Sequence, residues 1–174
     1  MSTAENQEYD GVGALDSNTD QFLTFLLAGE EYGIDILRVQ EIKGWEEATE
    51  IPNTPDYIQG VINIRGTIVP IIDLRRRFNL DLLEYGATTV VIVLKVETGS
   101  RSRIMGIVVD AVSDVYNVPS DEMKPPPDFG TAISIEFVRG LATVDEKMVI
   151  MLDIDRLLNS DELKVIDSVA TKGK

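Results

Sequence analysis

The chain has 174 residues, 44% of them hydrophobic, and a formal charge of −14. That is enough apolar material for a core, and too acidic a surface to recruit phosphate backbones or anionic lipid through Lys and Arg. Neither cysteine nor histidine occurs, which removes disulfides, thiolate metal sites, cysteine nucleophiles and the commonest acid–base group.

The polar, acidic N-terminus lacks the basic start and apolar run of a signal peptide. No segment approaches the roughly 18 consecutive apolar residues of a membrane span. A cytoplasmic protein is the expectation, with no direct membrane insertion and no nucleic-acid partner. Residues 1–20 carry Glu5, Glu8, Asp10, Asp16 and Asp20 with no basic side chain, and read as a disordered acidic tail. Phe22 to Leu27 reads as a buried strand. Tyr32, Ile34 and Ile36 then alternate with polar or small neighbours beyond an Ala28-Gly29-Glu30 turn, giving a hairpin. Val39 and Ile42, three apart, predict a short helix over 37–43 ended by Gly44. Trp45 to Pro55 reads as loop, its prolines restricting the chain to extended and turn shapes.

Residues 57–78 are the densest stretch. Ile58, Ile62 and Ile64 alternate with polar or small neighbours, and Ile68, Val69, Ile71 and Ile72 form an apolar run. These are two strands of a hairpin around Arg65-Gly66, with the Arg65 guanidinium carried on the turn. Leu74 to Phe78 reads as one helical turn, and Asn79 to Gly86 as a hinge between halves. Two β-branched runs, 89–96 and 104–109, flank a polar turn at 97–102. Lys124-Pro-Pro-Pro-Asp-Phe-Gly130 reads as a stiff loop, since consecutive prolines donate no ladder hydrogen bonds. Ser160 caps a predicted terminal helix striped by Leu163, Ile166 and Val169.

The chain repeats itself. Shifted by 80 positions, 57–78 aligns without a gap on 137–158, placing Gly60 on Gly140, Asp73 on Asp153 and Arg76 on Arg156. Shifted by 73, Gly33–Ile42 aligns on Gly106–Val115. Two blocks recurring in the same order predict a duplicated small β unit rather than a solenoid. Motifs of catalysis are missing: there is no Gly-rich phosphate loop and no nucleophile elbow. The pairs Asp110/Asp114 and Asp153/Asp155 leave an Asp-based metal-dependent hydrolase as the rival of another class, but no Ca-loop spacing accompanies them.

Several stretches carry a family resemblance: Glu-Glu-Tyr-Gly-Ile-Asp-Ile-Leu-Arg-Val-Gln-Glu-Ile at 30–42, Asn-Thr-Pro at 53–55, Gln-Gly-Val-Ile-Asn-Ile-Arg-Gly at 59–66 and Pro-Ile-Ile-Asp-Leu-Arg at 70–75. Gly-Ile-Val-Val-Asp-Ala-Val-Ser-Asp-Val at 106–115 and Leu-Leu-Asn-Ser-Asp-Glu-Leu at 157–163 agree. Over 21–163 the chain resembles the CheW family of bacterial chemotaxis coupling proteins. The resemblance implies a mainly β fold of two small five-stranded β-barrels about a shared core, with short connecting helices and a C-terminal helix. Residues 21–160 would form the CheW-like domain, with subdomains of about 21–85 and 86–160 and residues 161–174 as terminal helix and tail; strand exchange would blur the boundary.

The resemblance further implies a non-catalytic adaptor, without cofactor or metal, between transmembrane chemoreceptors and the histidine kinase CheA. Its partners would be the receptors' cytoplasmic hairpin tips, the kinase regulatory domain and other copies in receptor arrays; a parallel chemosensory system is the alternative setting. By motif position, Ile36, Val39, Glu41, Gly60, Arg65 and Gly66 fall where the family is associated with receptor binding and coupling. Val90, Gly106, Val112 and Val115 fall at positions of kinase contact or signalling, and Phe129 at a ring contact. Each has another reading: the valines serve equally well as core, the glycines as turn makers and Glu41 as a solvated acid.

Overall fold

The computed structural model describes residues 19–82, 84–98, 101–125 and 135–158. Ten strands dominate: β1 (Thr19–Leu27), β2 (Glu30–Asp35), β3 (Val39–Gly44), β4 (Ile58–Ile64), β5 (Thr67–Asp73), β6 (Val90–Thr98), β7 (Arg101–Val109), β8 (Ala111–Pro119), β9 (Val138–Val144) and β10 (Lys147–Leu152). One-turn helices α1 (Leu74–Arg77) and α2 (Ile154–Leu157) follow β5 and β10. The expected tail boundary at residue 20 moves, because Thr19 and Asp20 pair with Pro119 and Val118. The predicted C-terminal helix, most of the acidic tail and Phe129 lie outside the described residues.

The strands form two five-stranded sheets, ordered β8-β1-β2-β10-β9 and β3-β6-β7-β5-β4. Set side by side, these orders place β8, β2, β10 and β9 where their repeat mates β3, β7, β5 and β4 stand. The duplication is therefore built into the topology, but neither sheet is built from one repeat. The second sheet is the contiguous block β3–β7, and the first is assembled from both ends of the chain. A division near residue 85 therefore cuts through the second sheet, and the chain passes between sheets at Arg38/Val39 and Asp110/Ala111. Asn79 to Gly86 is correspondingly no hinge between halves: it joins β5 and α1 to β6 of the same sheet.

Each sheet is closed by one bridge across its open side, Thr49 to Val61 in the second and Lys124 to Leu141 in the first. These bridges explain the matched glycines. A Cβ on Gly60 would stand 2.1 Å from the Thr49 carbonyl oxygen, and one on Gly140 would stand 2.7 Å from that of Lys124. Backbone passes backbone there, with no room for a side chain.

Three apolar clusters follow. The largest lies between the sheets and takes Phe25, Tyr32 and Ile34 from one and Ile72, Ile92, Leu94, Met105 and Ile107 from the other. A second cluster, with Val69, Ile71, Val91, Val93 and Val108, fills the second sheet and is covered by half-buried Trp45 and Tyr85. The third, with Phe22, Val118, Val149 and Met151, fills the first.

Residues 37–43 are not a helix. One 3-10 turn over Ile36–Arg38, capped by the Asp35 carboxylate accepting from the Leu37 N–H at 3.0 Å, leads straight into β3. The helical spacing has a strand explanation. Val39 pairs with Leu94 and Glu41 with Val93, so the register slips at Gln40. This bulge puts Val39 and Ile42 on one face while separating them by three. The polar turn predicted at 97–102 is tighter too, since β6 and β7 remain paired out to Thr98 and Arg101.

Candidate partner-binding surface

The β4–β5 hairpin turns in two residues: Ile64 pairs with Thr67, and Arg65 and Gly66 both have positive φ, 51° and 89°. This is the turn geometry that matches strand twist. The Asn63 carboxamide oxygen accepts from the Gly66 N–H at 2.8 Å and fixes the turn. The Arg65 side chain is 76% exposed, yet it forms an ion pair with Glu41 of β3. Turn and edge strand thus present one polar, charge-paired strip, and Arg65 has a partner that its place on the turn did not announce.

Apolar groups border the same strand. Leu37 is 82% exposed and Ile42 42% exposed, two of the six large apolar side chains left exposed among the described residues. Ile36 and Val39 lie half-buried against the core between the sheets. The receptor set therefore divides. Glu41, Arg65 and Gly66 come together at the surface, Ile36 and Val39 flank them while packing inward, and Gly60 serves sheet closure.

The kinase set is dispersed. Val90 opens β6 opposite Gly44, and Gly106 lies in β7 beside Ile71 of β5, the two strands running parallel. A Cβ on Gly106 would approach Ile71 Cδ1 to 2.8 Å and Val91 Cγ1 to 2.9 Å, so this glycine is a packing position. Val112 and Val115 belong to β8 in the other sheet. Val112 packs against the shared core, while Val115 is exposed.

Two bidentate ion pairs fasten the crossings between sheets. Arg75 of α1 donates to both carboxylate oxygens of Asp110, at 2.8 and 2.7 Å, just before β8. Arg38, just before β3, donates to both of Asp155 in α2, at 2.8 and 2.6 Å. The repeat places Arg75 on Asp155, while Asp110 falls on Leu37, one position before Arg38, so a similar fastening occurs twice, shifted by one residue and with its polarity reversed. Burial works against charge on Asp110, but its bonds with Arg75 and the Ala28 N–H prevail and lower its pKa. The guanidinium pKa values of Arg75 and Arg38 are raised, first by these hydrogen bonds.

The aspartates offered to a metal-dependent hydrolase are thereby engaged. Asp110 and Asp155 hold arginines, Asp153 caps α2 through the Arg156 N–H at 3.1 Å, and Asp114 accepts from the Val115 N–H at 2.8 Å. Among the described residues no three His, Cys, Asp or Glu side chains gather as a metal site. Nor is any described helix long and apolar enough to cross a membrane.

Sequence reading missed the fastenings, because Arg38 and Asp155 lie 117 positions apart. It also missed the Tyr85 hydroxyl donating to Asp73 at 2.5 Å and the Trp45–Tyr85 contact, with ring centroids 4.4 Å apart. Burial first, then the bond to Asp73, raises the Tyr85 pKa.

The family model for the CheW-like domain matches residues 21–162. The chain belongs to the CheW-like family. It is 49% identical over 150 residues to the chemotaxis protein CheW of Klebsiella aerogenes, covering 86% of this chain and 88% of that one. It is 33% identical over 151 residues to a probable chemotaxis protein CheW of Rhizobium etli, covering 87% and 95%. The crystal structure of the scaffolding protein TtCheW from Thermoanaerobacter tengcongensis matches with a TM-score of 0.73 at 34% identity, over 82% of this chain and 90% of that one. The two-sheet CheW-like fold implied by the resemblance is thus the fold observed.

Proposed function

We propose that this CheW-like chain is a non-catalytic adaptor that couples transmembrane chemoreceptors to the histidine kinase CheA in cytoplasmic arrays at the membrane, so that receptor state controls autophosphorylation. The observation that carries the reading is the exposed strip of β3 and the β4–β5 turn. Leu37 and Ile42 supply apolar area there, and the Arg65–Glu41 pair supplies orientation. An amphipathic receptor hairpin offers the complementary apolar ridge with charged flanks. The kinase regulatory domain is assigned to the β8 side, through exposed Val115 and half-buried Val112, so one partner occupies each sheet. Val90 and Gly106 lie on β6 and β7 of the other sheet and act at a distance, through packing. Other copies of the family complete the array.

The test is titration of the purified chain against a receptor cytoplasmic hairpin and against the isolated kinase regulatory domain, followed by kinase autophosphorylation with all three present. Binding to both, and receptor-dependent stimulation only when the chain is added, is the expected result. Failure to bind either partner would overturn the proposal, as would phosphotransfer by the chain alone.

A further inference from the structure

Tyr57 and Phe137 are repeat mates, each immediately preceding the first strand of a hairpin, β4 or β9. Both are buried in the cluster between the sheets. Between them lies the Arg77 guanidinium, whose central carbon is 5.0 Å from the centroid of the Tyr57 ring and 4.9 Å from that of Phe137. The cation is sandwiched between one aromatic from each repeat, an arrangement in which both ring faces attract it. Arg77 Nε is buried without a hydrogen-bond partner, so the two ring contacts are left to offset part of the cost of burying this cation. The repeat mate of Arg77 is Leu157, fully buried. The cation is therefore a departure from the duplicated pattern, placed where the repeats meet.

Its surroundings link the two crossings. The Tyr57 carbonyl accepts from the Asp73 N–H at 2.7 Å, and the Phe137 carbonyl from the Asp153 N–H at 2.8 Å, so each ring is tethered to the residue that caps α1 or α2. Helix α1 carries Arg75, bonded to Asp110 at the start of the β8 side. Helix α2 carries Asp155, bonded to Arg38 at the start of β3. The links thus run from Arg38, just before β3, to Asp155 of α2, from the cap of α2, Asp153, to Phe137, from Phe137 to Arg77, and along the backbone of α1 to Arg75 and so to Asp110 before β8. The Arg77 sandwich is the link between the two crossing pairs, each of which also joins one repeat to the other.

We propose that Arg77 is a positioning residue that fixes the β3 surface relative to the β8 surface, so that a partner bound on one sheet is felt on the other. The inference rests on the adaptor reading. It separates two quantities that a contact residue would change together: affinity for each partner alone, and coupling between partners.

The experiment compares the full chain with Arg77→Leu, which installs the residue of the repeat mate, and with Arg77→Lys, which keeps the charge but not the planar stack. Each is tested for thermal melting, affinity for the receptor hairpin alone, affinity for the kinase regulatory domain alone, and receptor-dependent kinase stimulation. For Arg77→Leu, both separate affinities stay within about twofold while stimulation falls about fivefold or more, and Arg77→Lys recovers part of the loss. If Arg77→Leu melts early, Phe137→Leu, which removes one face of the sandwich, takes its place with the same expected split. Unchanged stimulation by a folded variant overturns the inference alone, as does a parallel loss of one separate affinity. No binding by the unsubstituted chain overturns the adaptor reading and this inference with it.

Discussion

The β4–β5 and β9–β10 turns are repeat mates with the same backbone and opposite chemistry. Arg65 and Gly66 have φ of 51° and 89°; Asp145 and Glu146, at the matching positions, have 51° and 67°. One turn presents a cation and the other two acids. The crossing pairs invert in the same way, with Arg75 of α1 matched by Asp155 of α2. What has stayed the same is what closes a sheet: a glycine under the bridge and an aspartate capping the one-turn helix. Duplication has kept the glycine under each bridge and the Asp–Arg pair of each one-turn helix, and has released the charges on the turns and at the crossings. The two turns therefore carry different surface charge on one scaffold.

The largest effect expected from breaking this likeness is at the closing glycines. Gly60→Ala drives a Cβ into the Thr49 carbonyl at φ 132°, where two backbones must separate. A loss of about 3 kcal/mol or more is expected in denaturant melts. Gly140→Ala meets the Lys124 carbonyl at 2.7 Å without a left-handed φ, and its other neighbour is the flexible Met123 side chain. Its cost is expected to be smaller, about 1–2 kcal/mol. Equal losses would show that the bridges, rather than the local backbone, set the requirement.

Next comes the crossing pair at Asp110. Its pKa is lowered in the folded chain from an ordinary 3.8, so its contribution is complete above that value and is lost as pH falls through the lowered folded value. Asp110→Asn should cost about 1–2 kcal/mol at pH 7, a figure discounted because the pair is partly exposed. Its stability should also fall less steeply than wild type below pH 4. Urea melts at pH 7 and pH 3 measure both; an unchanged acid slope would assign the acid sensitivity to other carboxylates.

Much of this was legible before the fold was seen. The Arg65-Gly66 hairpin, the first hairpin and the repeat emerged because strand alternation, turn glycines and matched offsets are local or periodic signals. Residues 37–43 misled because a bulge at Gln40 imitates helical spacing. The crossing of the chain between sheets left no local trace. Any division of the sequence into consecutive halves hides it, and with it the pairings Arg38–Asp155 and Tyr57–Arg77–Phe137. At the surface, Glu41 and Arg65 were both picked out, but their contact depends on how β3 lies against the β4–β5 turn, which spacing does not encode.

The second turn gives a smaller effect of opposite sign. Glu146 adopts φ 67° with a Cβ where its repeat mate is Gly66. Glu146→Gly should therefore stabilise the chain by about 0.5–1 kcal/mol, and Gly66→Ala should destabilise it by a similar amount. Thermal melts of the two variants together test whether the turns are equivalent in backbone. If Glu146→Gly lowers the midpoint, side-chain contacts of Glu146 outweigh its strain.

The smallest effect on stability belongs to Arg65, and it separates folding from function. An exposed ion pair is worth about 1 kcal/mol or less, so Arg65→Glu should change stability by about 0.5 kcal/mol. Placed in a contact with the receptor, the same reversal removes a charged anchor and sets a second carboxylate beside Glu41. Losses of about 2 kcal/mol or more in binding are typical of such anchors. The double variant Arg65→Glu, Glu41→Arg decides what the pair is for. It restores the ion pair with its ends exchanged, and leaves the surface charge of the strip unaltered in sum. If the pair only holds β3 against the turn, receptor binding returns with the exchange. The proposed role requires the cation on the turn itself, facing the partner, so binding and receptor-dependent kinase stimulation should remain low while the melt returns to the wild-type midpoint. Recovery of binding in the exchanged chain would make Arg65 and Glu41 a structural clasp and transfer the receptor contact to Leu37 and Ile42.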